Sequence, residues 1–184
     1  WRLLWLRYSR RAWLRANSDT WGSLGYALST CGLRRTTIGW LKTWPTVTDL
    51  QPWMLSNLTL AYYQRKNPAA ARVVIAHART LPADNTHTDF LLWHGLESAL
   101  VADLPTATDT LAKTAHLTLD PQPKLIRAFI QLLVDFHARQ TTAPTDAFRE
   151  AKAKIAQIWE NNPSANSDPG LVHFRARVLR HLAA

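Results

Sequence analysis

The chain has 184 residues, a net charge of +9 and a hydrophobic content of 47%, including nine tryptophans. That apolar share excludes a disordered chain, which buries too little to offset the entropy of ordering; the length suffices for one compact domain or a short stack of repeats. Cys31, the single cysteine, excludes an internal disulfide and a zinc site built from paired thiolates, and is simplest to place in a reduced, cytoplasmic setting.

The charge is uneven. Residues 1–79 carry twelve Lys/Arg against Asp19 and Asp49, a net +10, whereas residues 80–184 carry ten against eleven acids, a net −1. A basic half favours an acidic partner, nucleic acid or an anionic surface; plain solvation of helix surfaces by arginine is the alternative.

Residues 1–15, WRLLWLRYSRRAWLR, predict a helix with Trp1, Leu4, Trp5, Tyr8 and Ala12 on one face and Leu3, Leu6, Trp13 and Leu14 elsewhere. Apolar on more than one side, it packs between neighbours or lies at a membrane surface, where Trp, Tyr and Arg collect. The chain opens at Trp1 without Met or a signal pattern, so residues 1–17 are expected to be the remnant of a longer chain. No stretch approaches the roughly 18 uninterrupted apolar residues of a spanning helix, and no transmembrane segment is expected.

Asn17-Ser18-Asp19 supplies cap chemistry for a helix that runs to about Cys31 and stops at Gly32. Its shorter partner spans 36–44, ended by Pro45. Residues 53–66 and 69–81 predict two amphipathic helices separated by Asn67-Pro68. The pattern continues with helices over 87–102, 106–115, 124–138 and 145–160, divided by Asp103-Leu104-Pro105, Asp120-Pro121-Gln122-Pro123 and Thr141-Thr142-Ala143-Pro144. A polar loop over 161–170 leads to a closing helix over 171–182. No segment alternates as a half-buried strand does, so the fold class is all-α with about ten helices.

Sliding the chain along itself exposes a repeat. Trp21, Leu24, Gly25, Ala27, Leu28 and Gly32 fall on Leu55, Leu58, Thr59, Ala61, Tyr62 and Lys66, a shift of thirty-four, and Thr37 and Leu41 fall on Ala71 and Ile75. A third unit needs a shift of thirty-six, matching Leu91, Gly95, Ala107 and Leu111. With Trp, Leu and Gly in the first helix, alanine in the second and Pro82 near the end, residues 18–82 resemble two tetratricopeptide repeats. The resemblance weakens downstream. The expected organisation is an N-terminal helix (1–17), a repeat domain over 18–160 with units at about 18–48, 52–85, 86–118 and 122–160, and a loop with a closing helix (161–184).

The resemblance implies helix pairs stacked into a right-handed superhelix whose inner wall, formed by the first helix of each pair, holds a peptide or another protein's helix. In that register the inner positions are Gly22, Ser23, Tyr26 and Ser29, then Asn57, Leu60, Tyr63 and Gln64, then Asp89, Trp93 and Leu96. The expected partner-binding groove is Tyr26, Asn57, Leu60, Tyr63, Gln64, Asp89 and Trp93, aromatic and polar with little charge. Relatives that grip a terminal carboxylate do so with Lys, Arg and Asn; only Asn57 fits, so no carboxylate clamp carries over. Trp21 and Tyr62 are signature positions expected to pack in the core.

Chemistry is sparse. His87, Asp89, His94 and Glu97 fall close together but lack the HExxH or paired ExxH spacing of a metal site. Cys31 has no base to activate it, and Gly22-x-x-Gly25 lies inside a helix with no preceding strand, unlike a phosphate loop. No active site, metal or cofactor is expected in this stretch of chain. Two functions remain: a non-enzymatic scaffold that holds a protein segment in a groove, and a binder of nucleic acid or another acidic polymer. The second would use the basic patch of Arg7, Arg10, Arg11, Arg15, Arg34 and Arg35, with Arg2 and the interleaved Trp5, Tyr8 and Trp13.

Overall fold

The computed structural model describes residues 2–82, 86–140 and 144–183, apart from the side chains of Pro144 and Pro169. Among them there is no strand, and eleven α-helices follow one another: α1 (Arg2–Ser9), α2 (Arg11–Arg15), α3 (Ser18–Thr30), α4 (Arg34–Leu41), α5 (Pro52–Gln64), α6 (Pro68–Ala78), α7 (Thr86–Leu100), α8 (Leu104–Thr114), α9 (Pro121–Gln140), α10 (Pro144–Glu160) and α11 (Pro169–Leu182). Short 3-10 turns occupy Trp44–Thr46 and Pro163–Ser167, the second inside the stretch expected to be a polar loop.

Starts and stops follow the local chemistry. Asn17 Oδ1 accepts from the Asp19 and Thr20 amides (2.8 and 3.1 Å), Asn67 Oδ1 from Ala70 (3.1 Å), Asp103 Oδ1 from Thr106 (3.3 Å), and Asp168 Oδ1 from Gly170 and Leu171 (2.8 and 3.1 Å). Each satisfies amides that the helix itself leaves without a partner. Proline opens α5, α6, α9, α10 and α11, where its missing N–H is harmless.

The expected single helix over 1–15 is instead α1 and α2, broken at Arg10 (φ −121°, ψ 23°). Arg7, Arg11 and Arg15 are spaced i, i+4 along this stretch with no acid among residues 2–18, and like charges at that spacing oppose a continuous helix.

Three helix ends share one geometry. Gly32, Lys66 and Ala102, thirty-four and thirty-six positions apart, all lie in the left-handed region (φ 70°, 58° and 60°). After each, the next amide donates back to the carbonyl five residues earlier: Leu33 to Leu28 (3.0 Å), Asn67 to Tyr62 (3.0 Å) and Asp103 to Ser98 (2.9 Å). This closure satisfies the last carbonyls of α3, α5 and α7 and turns the chain into α4, α6 and α8. The same turn thus recurs at spacings of thirty-four and thirty-six residues.

The chain divides into two compact units, residues 1–90 and 91–184, with the division inside α7. In the first, α3 packs on α4 and α5, α4 on α5, and α5 on α6, while α1 and α2 lean on α3. Its core is Trp21, Leu24, Leu28, Trp40, Leu41, Met54, Leu55, Leu58, Ala71, Val74 and Ile75. Gly25 is where α3 meets α4, since a Cβ there would overlap the Leu41 side chain; one at Gly22 would come within 2.7 Å of Met54 on α5. In the second unit α9 packs on α8, α10 and α11, and α10 on α11. Here Gly95 of α7 meets Thr110 of α8, whose Cβ would lie 2.8 Å from an added Cβ.

Candidate partner-binding surfaces

In the first unit the expected groove positions separate by burial. Tyr26 is 56% exposed, and Asn57, Leu60, Gln64 and Asp89 are half-buried. Asn57, Leu60 and Gln64 fall at i, i+3 and i+7, one stripe of α5. Asn57 donates from Nδ2 to the Trp53 carbonyl (3.3 Å), and Gln64 Oε1 accepts from Arg34 Nε (2.7 Å), which ties the basic patch to this stripe.

Tyr63 is a correction. It is 1% exposed and belongs to the core, while Tyr62, the signature position expected inside, is half-buried. Each residue turns a helix by about 100°, so one step beyond the stripe carries the ring from the rim to the interior. Burial also pushes the Tyr62 hydroxyl's pKa above its ordinary value. Gly22 is covered too, under Met54 and Trp53.

In the second unit the corresponding stripe of α7 is not open. Trp93 is 4% exposed and Leu96 fully buried, and the Trp93 ring lies 6.4 Å from that of Phe174 on α11. One turn along, Glu97 pairs with Arg177 of α11; the carboxylate side chain is 4% exposed. Further on, His137 of α9 has Nε2 3.1 Å from the Ala99 carbonyl and 3.2 Å from His181 Nε2 of α11. The closing helix thus covers the first helices of this unit, with Leu171, Phe174, Val178 and Leu182 as its buried stripe. Trp93 is a receptor for the chain's own helix rather than for a guest. The sequence carried a signal for this in the i, i+3, i+7, i+11 spacing of that stripe, but spacing alone does not say which face it covers.

Only one of the two facing histidine nitrogens carries a hydrogen, because a hydrogen bond needs a lone pair on the other. Burial, followed by the neighbouring His137, holds the His181 pKa below its ordinary value. Glu97, one of the four residues weighed for a metal, is committed to Arg177. Among the described residues no three His, Cys, Asp or Glu side chains gather to hold a metal ion.

The basic patch is a gathering of arginines around aromatic rings. Arg7 lies over Tyr8 (5.3 Å) and Arg15 over Trp40 (5.0 Å). Arg15 has its pKa lowered by burial and then by the like charges of Arg11 and Arg7. Arg10, Arg11 and Arg35 are exposed. Among the described residues no helix is long and apolar enough to cross a membrane.

Comparison with protein families gives no match, and comparison with curated proteins and with solved structures gives none either.

Proposed function

We propose that this chain is a tetratricopeptide-like scaffold, non-enzymatic in this stretch, whose stacked helix pairs form a right-handed superhelix and receive a helical segment of another protein. The observation that carries the reading is the seating of α11. An aromatic anchor (Phe174) on Trp93 and an arginine one turn later (Arg177) on Glu97 are how a helix docks on a helical surface. Support for the repeat comes from the three matching turns at Gly32, Lys66 and Ala102 and from Gly25 and Gly95 at the helix crossings.

The guest's place is then the partly exposed stripe of the first unit, Asn57, Leu60 and Gln64 with the exposed Tyr26. Tyr26 and Leu60 occupy equivalent positions of successive pairs, thirty-four residues apart. An exposed aromatic ring on α3 and a half-buried leucine and amides on α5 suit an amphipathic helix with an apolar anchor and few charges.

The test is selection of displayed amphipathic helices on the intact chain. Selected peptides should lose about tenfold or more in affinity for Tyr26→Ala or Leu60→Ala and keep their affinity for Arg10→Gln. Peptides indifferent to Tyr26 and Leu60, or selection that yields none, would overturn the assignment.

A further inference from the structure

The N-terminal helices keep their aromatic side chains in water. None of the residues of α1 is buried, and Trp5, Tyr8 and Trp13 are 66%, 75% and 63% exposed. Elsewhere Trp21, Trp40, Trp93 and Trp159 are 6% exposed or less and Trp44 and Trp53 are half-buried. Arg2, Leu4, Trp5 and Tyr8 line an open, almost wholly apolar patch of surface. Around it lies a one-sign field, because residues 2–18 hold Arg2, Arg7, Arg10, Arg11 and Arg15 and no acid.

We propose that α1 and α2 form a docking face for an anionic lipid surface, with Trp5, Tyr8 and Trp13 entering the headgroup boundary and the arginines pairing with lipid phosphates and carboxylates. Exposed Trp and Tyr gain most at that boundary, where a ring meets hydrocarbon and its polar edge meets water. Arginine lays its stem along the apolar face and keeps the guanidinium among the headgroups. Arg2 and Arg7 within α1 and Arg10 and Arg11 just after it are costly at the bilayer centre and favoured among the headgroups, which keeps this segment in the surface plane. Nucleic acid matches the charge but not the lining: Leu4 offers no π-face, and single strands are held by stacking bases on aromatic rings.

The intact chain is sedimented with vesicles of phosphatidylcholine alone and of three parts phosphatidylcholine to one part phosphatidylserine. Each arginine near an anionic surface strengthens binding about fivefold, so partition onto the mixed vesicles should exceed that onto neutral ones by roughly a hundredfold and fall steeply with salt. Arg10→Gln with Arg11→Gln should cost about twenty-five-fold on mixed vesicles. Trp5→Ala with Trp13→Ala should cost tenfold or more, with the helical circular dichroism retained because both rings are exposed. In the wild type, brominated acyl chains should quench tryptophan fluorescence, a readout that needs no variant. Equal binding to both vesicle types, binding unchanged by the tryptophan pair, or no quenching would each overturn the proposal. So would a random oligonucleotide binding with a steep salt slope where vesicles do not bind, or a Trp5-dependent dimer that excludes vesicles.

Discussion

Glycine carries two opposite meanings in this chain, and the difference lies in what a methyl group would touch. At Gly95 an added Cβ meets Thr110 at its Cγ2 and Cβ (2.6 and 2.8 Å), and the Cβ, bonded directly to the α8 backbone, cannot swing away. At Gly39, inside α4, the nearest atom is Arg7 Nη2 at 3.8 Å, an ordinary contact. Alanine is favoured over glycine in a helix interior by about 1 kcal/mol, while overpacking costs typically 1–3 kcal/mol. Gly39→Ala should therefore stabilise the protein by about 0.5–1 kcal/mol, and Gly95→Ala should destabilise it by about 1–2 kcal/mol. Urea unfolding of both variants reads the two signs directly.

The histidine pair is the other residue-scale device. His181 has its pKa below the unfolded value of about 6.5, through burial and His137. The fold therefore favours the neutral ring, and the unfolded chain binds more protons in this range. The stability this contributes is present above the unfolded pKa and is lost as pH falls through it toward the folded value. Thermal midpoints should drop as pH falls from about 7.5 to about 5, and His181→Gln should flatten that slope. An identical slope in the variant would show that other groups carry it.

At the scale of elements, the turns between paired helices follow a backbone rule that the sequence obeys only in part. The left-handed position is held by glycine at residue 32 but by Lys66 and Ala102 in the next two pairs. A side chain there costs roughly 1–2 kcal/mol, of which glycine's greater unfolded freedom takes back about 0.4–1 kcal/mol. Ala102→Gly should stabilise the second unit by about 0.5–1 kcal/mol. Urea titration of the variant checks the gain, and unchanged backbone chemical shifts in α7 and α8 show that the geometry was already set. The same scale explains the split of the first helix. Its residues suit a helix one by one, and the arginines spaced along it disfavour carrying the helix unbroken through Arg10.

For the whole molecule, charge and packing are distributed by different rules. The +10 of residues 1–79 includes the exposed arginines of α1 and α2, and their effect reaches about 10 Å at ordinary salt. The second unit is nearly neutral as a sequence and puts its charge to structural use. Glu97 and Arg177 pair beneath α11, and Arg175 lies over the Trp159 ring at 4.6 Å, with Trp159 Nε1 donating to Asn166 Oδ1 (2.7 Å). Lysine and aspartate form exposed pairs, Lys154 of α10 with Asp135 of α9 (3.3 Å) and Lys113 with Asp109 on α8 (2.6 Å). Exposed pairs of that kind contribute little to stability.

The sequence by itself determined the all-helical class and, α1 and α2 apart, the place of each helix to within about three residues. Those depend on neighbours a few residues apart: proline at a first turn, Asn or Asp at a cap, apolar residues at i, i+3 and i+4. Only the tertiary structure decided which rings face outward. Tyr63 and Tyr62 differ by one step of about 100°, and Trp93 is covered because α11, some eighty residues later, returns to it. Contacts of that separation depend on where a helix packs, and a spacing pattern records that a stripe must be covered without recording by what.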